Sequence, residues 1–176
     1  MAFSDKVSGV LAKVSASKTL VADGNYGAND VLSESKTEGT AFTFSGVASV
    51  KGGGGYITGA KLTLSKSGGI TAITPRFQLQ LYNAAPTCTL NDNEANTGVL
   101  AADVSKHIGD IELGNVSQIG GSPVAEVSSS TNGRLPKPFV CTTESTDIYG
   151  VLVILDAETN ETAATIATIV LYIEQY

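Results

Sequence analysis

The feature that most constrains the fold of this chain is a two-residue alternation of apolar and polar side chains, which begins near residue 41. It is clearest at residues 76–81, where Phe77, Leu79 and Leu81 alternate with polar residues, and it recurs at residues 42–45, 61–65 and 110–113. Successive side chains of a β-strand point to opposite faces, so each run has one apolar face and one polar face. The pattern predicts antiparallel strands that are packed on one side.

Two later runs are apolar on both faces. Residues 149–155 and 165–173 are rich in β-branched side chains and end at polar segments. They are predicted to be central strands, or strands whose second face meets another subunit. The polar segment between them, residues 156–161, has the length of a hairpin connection.

Glycine-rich turns separate the alternating runs at residues 52–55, 67–69 and 120–123. The 19 Gly residues and a charged fraction of only 16% suit short strands joined by many turns. Residues 83–99 are expected to form a long surface loop. We therefore predict an all-β fold, an antiparallel β-sandwich of jelly-roll-like form with about eight strands, as one domain over residues 19–176.

The N-terminal segment, residues 1–18, follows a different pattern. Phe3, Val7, Val10, Leu11 and Val14 fall at helical spacing, which predicts a short amphipathic helix or an extended arm. An apolar stripe outside the sandwich needs a partner to cover it. These five residues are therefore the predicted partner interface.

The charge distribution limits the classes of partner. The net charge of −6 arises in the last 39 residues, which hold six acidic residues and no Lys or Arg. Nucleic-acid binding needs clustered basic residues, so we expect no nucleic-acid partner. No run approaches the ~18 apolar residues of a membrane span, so we expect no membrane partner. The first residues lack the basic and apolar regions of a signal peptide, which predicts synthesis in a cytoplasm.

Residue types that carry enzyme chemistry are sparse. His107 is the single histidine, and no Gly-x-Ser-x-Gly motif surrounds a serine. Asp110 and Glu112 are expected to share a solvated strand face. Cys88 and Cys141 are too few for a metal site, and a disulfide between them would require Cα atoms within about 7 Å. In a product made in a cytoplasm, two free thiols, buried like small apolar residues, are the expectation. We predict a protein that is not an enzyme and has no metal and no cofactor.

Two ligand sites are weaker alternatives. Residues 91–94, Asn-Asp-Asn-Glu, cluster the oxygen ligands that calcium prefers, but lack the glycine and distal glutamate of an EF-hand loop. Tyr26, Tyr56 and Tyr82 are candidates for sugar stacking in a chain without Trp. A tail-associated or carbohydrate-binding β-sandwich module is the alternative function, and a hydrolase with a dispersed site is the third.

Four segments resemble one family of small virion proteins. Residues 26–33 form an aromatic-plus-turn segment that contains Asp-Val-Leu, and residues 56–64 match a strand-turn-strand unit. Residues 77–83 match an alternating strand that ends in Tyr-Asn, residues 148–153 match a late Ile-Tyr-Gly-Val segment, and a final apolar strand follows. From Thr19 to its end the chain resembles the head decoration proteins of tailed bacteriophages, also called cement or auxiliary capsid proteins.

This resemblance implies a structural role in a virion. A protein of this family would bind the major capsid protein on the outer face of the shell, as a symmetric homo-oligomer with a trimer favoured. Its action would be mechanical, because a subunit that bridges neighbouring capsomers stabilises the lattice that it binds. The expected location is the capsid exterior, after synthesis in the cytoplasm of a host bacterium.

Overall fold

The computed structural model describes residues 9–21, 25–70, 73–129, 134–159 and 164–176. These ranges form eleven β-strands and no α-helix. The first six strands are β1 (Val10–Thr19), β2 (Val31–Leu32), β3 (Phe42–Phe44), β4 (Gly54–Ser65), β5 (Arg76–Tyr82) and β6 (His107–Asn115). The other five are β7 (Ser117–Ile119), β8 (Ser122–Ser128), β9 (Lys137–Val140), β10 (Ile148–Ile154) and β11 (Ile166–Gln175). The described residues contain no helix with the length and apolar character of a membrane span.

The strands form two antiparallel sheets. The six-stranded sheet has the order β1-β11-β4-β8-β7, with β9 also paired to β4. The five-stranded sheet has the order β2-β10-β5-β6, with β3 also paired to β10. The pairing is nested, because β1 pairs with β11, β3 with β10, β4 with β8 and β5 with β6. The prediction of an antiparallel β-sandwich is confirmed.

The main core lies between the sheets and takes side chains from the inward face of each. From the five-stranded sheet it takes Leu32, Phe42, Phe44, Phe77, Leu79, Leu81, Ile111, Leu113, Ile148, Leu152 and Ile154. From the six-stranded sheet it takes Ile57, Ala60, Leu62, Leu64, Ala125, Val127, Phe139, Ala167, Ile169, Leu171 and Ile173. Each buried Leu, Ile or Phe side chain stabilises the fold by about 1.5–3 kcal/mol relative to an exposed one.

The alternating runs and the two apolar runs all lie in strands. The alternations fall in β3, β4, β5 and β6, with their apolar residues in the core, and the apolar runs are β10 and β11. Strand β10 is central, between β5 on one side and β2 and β3 on the other. Its outward-facing Val151 and Val153 are buried in a second cluster with Cys88, and Leu90 and Val99 pack against that cluster. The loop predicted at residues 83–99 therefore covers the outer face of the five-stranded sheet.

Strand β11 is also central, but no loop among the described residues covers its outer face. Its inward-facing Ala167, Ile169, Leu171 and Ile173 are fully buried. Its outward-facing residues are exposed or half-exposed, from Ile166 through Tyr172 to Glu174. The apolar character of the second face of β11 is thus explained neither by the core nor by a covering loop.

The helical alternative for the N-terminal segment is wrong over residues 10–19, which form β1. All ten residues pair with β11, from Val10 opposite Gln175 to Thr19 opposite Ile166. This pairing supplies hydrogen-bond partners along the whole strand, whereas an isolated short helix is marginal in water. The boundary proposed between residues 18 and 19 falls inside this strand.

Two further expectations differ from the structure. The hairpin expected around residues 156–161 is wrong, because β10 and β11 belong to different sheets; residues 160 and 161 lie outside the described residues. Gly54 and Gly55 belong to β4 rather than to a turn. A Cβ atom on Gly54 would lie 2.4 Å from the carbonyl oxygen of Phe139, and one on Gly55 would lie 2.2 Å from that of Glu174. These glycines therefore allow the neighbouring strands to approach β4 closely.

We predict that Gly55→Ala lowers the free energy of unfolding by at least about 2 kcal/mol, because the backbone of β11 has to move to admit the methyl group. Chemical denaturation measures this difference. Gly27→Ala is the matched control, because the three atoms nearest to its Cβ would belong to the side-chain carboxylate of Asp30, at 3.0 Å or more, and not to backbone. The control should stay within about 1 kcal/mol of the parent. Equal effects of the two substitutions would contradict the close-approach explanation.

Candidate partner-binding surface

The uncovered outer face of the six-stranded sheet carries a group of exposed apolar and aromatic side chains. We call this group the tyrosine surface, and it consists of Leu11, Tyr56, Pro138, Val140, Tyr172 and Tyr176. The residues come from β1, β4, β9, β11 and the residue after β11, so they are far apart in sequence. The strand register brings them together at one end of the sheet.

One row of this surface crosses four strands. Leu11 lies opposite Glu174, Glu174 opposite Tyr56, and Tyr56 opposite Pro138. With strands about 4.8 Å apart, the row spans roughly 14 Å. Opposite residues in antiparallel strands point to the same face, so all four side chains project outward.

Two more tyrosines flank this row. Tyr172 lies opposite Gly59, and a Cβ atom on Gly59 would come within 3.2 Å of the Tyr172 ring, so the ring lies against this glycine. On the other side, the backbone N–H of Tyr176 donates to the carbonyl oxygen of Gly54 at 3.2 Å. The rings of Tyr56 and Tyr176 meet edge to face, with centroids 5.8 Å apart. Such contacts hold the rings in place, so binding costs little side-chain entropy.

Charge within the tyrosine surface is limited to a few groups. Glu174 lies in the first row, and Lys13 lies opposite Tyr172 on β1. The pKa of the Tyr176 hydroxyl is raised, mainly by partial burial and to a smaller extent by the hydrogen bond and the charge of Glu174. The surface is thus mostly apolar, with one carboxylate at its centre and one lysine at its edge. Enrichment in tyrosine and depletion of charge are typical of the central part of protein interfaces.

The structure separates the residues predicted as a partner interface. Leu11 belongs to the tyrosine surface and is 81% exposed. Val10 is exposed at the start of the strand, whereas Val14 points inward and packs against the main core. Phe3 and Val7 lie outside the described residues. Helical spacing does not put Leu11 and Val14 on one face of a strand, because the period of a strand is two.

Of the three tyrosines considered for sugar stacking, only Tyr56 is accessible. Tyr26 and Tyr82 are buried, so the prediction is wrong for them. Tyr172 and Tyr176 were not among the candidates, although both are exposed. The alternation in residues 166–173 contained the signal for Tyr172, since it lies out of phase with the buried Ile169, Leu171 and Ile173.

The residues with catalytic potential make contacts within the fold. His107 begins β6, and its Nε2 atom lies 2.9 Å from Oδ1 of Asp110. Asp110 and Glu112 are both half-buried on β6. Within the described ranges, no three His, Cys, Asp or Glu residues cluster at metal-binding distance.

Both cysteines are free and buried, as expected. Burial, followed by the charge of Asp147, raises the pKa of the Cys141 thiol to about 11. Burial is also the main cause that raises the pKa of Cys88. Nucleophilic attack and metal binding require the thiolate, so both side chains behave as small apolar groups near neutral pH.

Asp92, within the calcium-like Asn-Asp-Asn-Glu segment, is an internal anchor of the loops. Its side chain is 2% exposed and accepts hydrogen bonds from the Tyr26 hydroxyl at 3.0 and 3.1 Å. It also accepts one from the backbone N–H of Ser33 at 2.7 Å. Burial raises the pKa of Asp92 to about 6, against the lowering effect of these hydrogen bonds. Asp92 thus ties the loop at residues 83–106 to the segment around β2.

No protein-family model matches this chain, and no curated protein matches it. Among solved structures, the chain is similar to a chain in the structure of a marine algae virus of the order Picornavirales. The match covers 96% of this chain and 69% of that chain, with 11% sequence identity and a TM-score of 0.22. Similarity at that level carries no argument about fold or function.

The buried carboxyl group of Asp92 predicts that the stability of the parent protein and that of Asp92→Asn depend differently on pH. The folded-state pKa of Asp92, about 6, exceeds its ordinary value of 3.8, so the folded protein binds more protons between these values. The contribution of Asp92 to stability is therefore present below about pH 4 and lost as the pH rises through 6. Because asparagine keeps the acceptor oxygen without the charge, Asp92→Asn should gain stability relative to the parent from pH 4 to pH 7. Urea denaturation at several pH values measures this, and a difference that does not change with pH would contradict it.

Proposed function

We propose that this protein is a structural component of a virion that binds the outer face of a capsid shell as a decoration protein. Its binding surface would be the tyrosine surface, and this surface is the observation that carries the proposal. We also infer that the nested strand pairing makes the sandwich a jelly roll, an architecture that viral capsid proteins and lectins share. The four segments that resemble head decoration proteins support the same role.

The proposed action is mechanical rather than catalytic. The strands hold the tyrosine surface on a rigid sheet, so a partner would bind a preformed site at little conformational cost. A subunit that binds the mature shell but not its precursor stabilises the mature form by mass action. Contacts to two neighbouring capsomers would add resistance to the outward pressure of the packaged genome. The partner in this proposal is the major capsid protein.

Exposed tyrosines on a flat, weakly charged surface suit a protein partner. Each ring offers a large apolar area and a hydroxyl group with only two side-chain torsions to fix. Tyrosine is enriched among the few residues near the centre of an interface whose truncation costs at least about 2 kcal/mol. The tyrosine surface contains three of them, and Tyr56 lies in its central row.

Co-sedimentation with mature capsids of the virus that encodes the chain tests this proposal. We expect the parent protein to sediment with the capsids, and Tyr56→Ser with Tyr172→Ser to weaken binding at least about 30-fold, as a loss above 2 kcal/mol requires. Val104→Ser is the matched control, because Val104 is exposed on a loop outside the tyrosine surface. Failure of the parent to bind capsids would contradict the role, and equal binding by the double variant would contradict the assigned surface.

Carbohydrate binding is the second candidate function, and the three exposed tyrosines around Glu174 favour it. Sugar rings stack on aromatic faces, and a carboxylate accepts hydrogen bonds from sugar hydroxyls. A glycan array tests this alternative. Binding that Tyr56→Ala abolishes would support it, and an array without binding would leave the virion role as the better account.

A further inference from the structure

Strand β1 is an edge strand with half of its length uncovered. Among the described residues it pairs only with β11, so the backbone N–H and C=O groups on its other side have no strand partner. Natural proteins protect such edges with proline, closely spaced charges or short strands. Over residues 10–15 of β1 the single charged residue is Lys13, and there is no proline. The opposite edge of the same sheet is the three-residue β7.

The C-terminal half of β1 is covered from within the same molecule. Lys18 forms an ion pair with Glu34, donates to the carbonyl oxygen of Thr40 at 2.7 Å, and lies 5.3 Å from the centroid of the Phe42 ring. Residues 16–18 and 40–43 line the two sides of one groove. An added strand therefore has access to residues 10–15 but not to residues 16–18.

We infer that β1 of a second copy of this chain pairs antiparallel with residues 10–14 of β1, with Ala12 at the twofold axis. In this register Ala12 lies opposite Ala12, Val10 opposite Val14, and Leu11 opposite Lys13. The six-stranded sheets of the two copies then form one continuous sheet. The pair has a closed twofold symmetry and differs from the trimer that the resemblance favours.

Charge and access favour this register over those with the twofold axis at Lys13 or at Val14. A twofold axis at Lys13 would put two lysines directly opposite each other, which is destabilising. An axis at Val14 would pair Val10 with Lys18, in the half of the strand that Thr40 and its neighbours cover. With the axis at Ala12, Lys13 lies opposite Leu11 rather than another lysine. All the paired residues also lie within residues 10–15, the uncovered part of the strand.

The same register creates a new attraction between the copies. Glu174 lies opposite Leu11, so Lys13 of the second copy would be two strands away from it, roughly 10 Å between Cα atoms. The long side chains of lysine and glutamate span that distance across Leu11, and the twofold axis produces the contact twice. The two tyrosine surfaces then meet at the axis and form one larger surface. This consequence would extend the proposed capsid-binding face, although the pairing itself does not depend on that role.

Light scattering coupled to size-exclusion chromatography measures the mass of the assembly. We expect twice the chain mass of 18.0 kDa for the parent, or 36 kDa, and 18.0 kDa for Leu11→Lys, which puts a lysine of each copy directly opposite Lys13 of the other. Ile119→Lys, on the opposite edge of the same sheet, is the control and should remain at 36 kDa. Since Leu11 is exposed, the variant should fold normally and its circular dichroism spectrum should match that of the parent. A monomeric parent, a trimeric parent or a dimeric Leu11→Lys variant would overturn the inference.

Disulfide trapping tests the register itself. Opposite residues in an antiparallel pair have Cα atoms about 4.5–5.5 Å apart, which suits a disulfide. We expect Ala12→Cys to form a covalent dimer on mild oxidation. Ser17→Cys should not, because its two copies would be about 34 Å apart. The native Cys88 and Cys141 are buried, so they should not compete. A dimeric protein in which Ala12→Cys stays uncrosslinked would overturn this register.

The outcomes separate this inference from the proposed virion role. A monomeric protein that binds capsids would overturn the pairing and leave the virion role in place. A dimeric protein that crosslinks at position 12 but ignores capsids would support the pairing and contradict the role.

Discussion

The fold depends most on the placement of β11 between β1 and β4. This strand pairs along its whole length with both neighbours, so residues near the two ends of the described chain lie side by side in one sheet. The pairing with β4 requires Gly55, whose missing side chain allows the backbone of β11 to approach. It also sets the register that turns Ile169, Leu171 and Ile173 toward the core and Tyr172 outward. The register of β11 therefore determines both which side chains pack in the core and which form the outer surface.

The two apolar strands show how one sequence pattern serves two purposes. Strand β10 has its second face covered by the loop at residues 83–99, which is anchored by the buried Asp92. In the part of the chain that the structure describes, no loop covers β11, and its outward face joins Leu11 and Tyr56 in an exposed surface. A large apolar surface on a rigid sheet is costly in water, so it is a reasonable place for a partner. Of these two strands, only β11 has its second apolar face exposed, and that face belongs to the six-stranded sheet.

Sequence alone predicted the class of fold and the strongest strands, because alternation records directly which face of a strand is buried. It missed β8 and β9, where Pro123 and Pro138 weaken the pattern, and it assigned helical spacing to residues that form β1. The tyrosine surface could not be predicted from the sequence, because only the register of three strands brings Leu11, Tyr56 and Tyr172 close together. Sequence also could not exclude Tyr26 and Tyr82 as ligand-binding residues. Nothing in the neighbouring sequence indicates that Tyr26 is buried against Asp92, or that Tyr82 is buried under a loop.

The central claim is that this chain is a regular component of a virion shell. Quantitative mass spectrometry of purified particles from the virus that encodes it measures its copy number relative to the major capsid protein. We predict about one copy per shell subunit, or a simple fraction of that number, because a lattice protein occupies equivalent positions. A few copies per particle would indicate a tail or receptor-binding role instead, and absence from the particles would contradict the account.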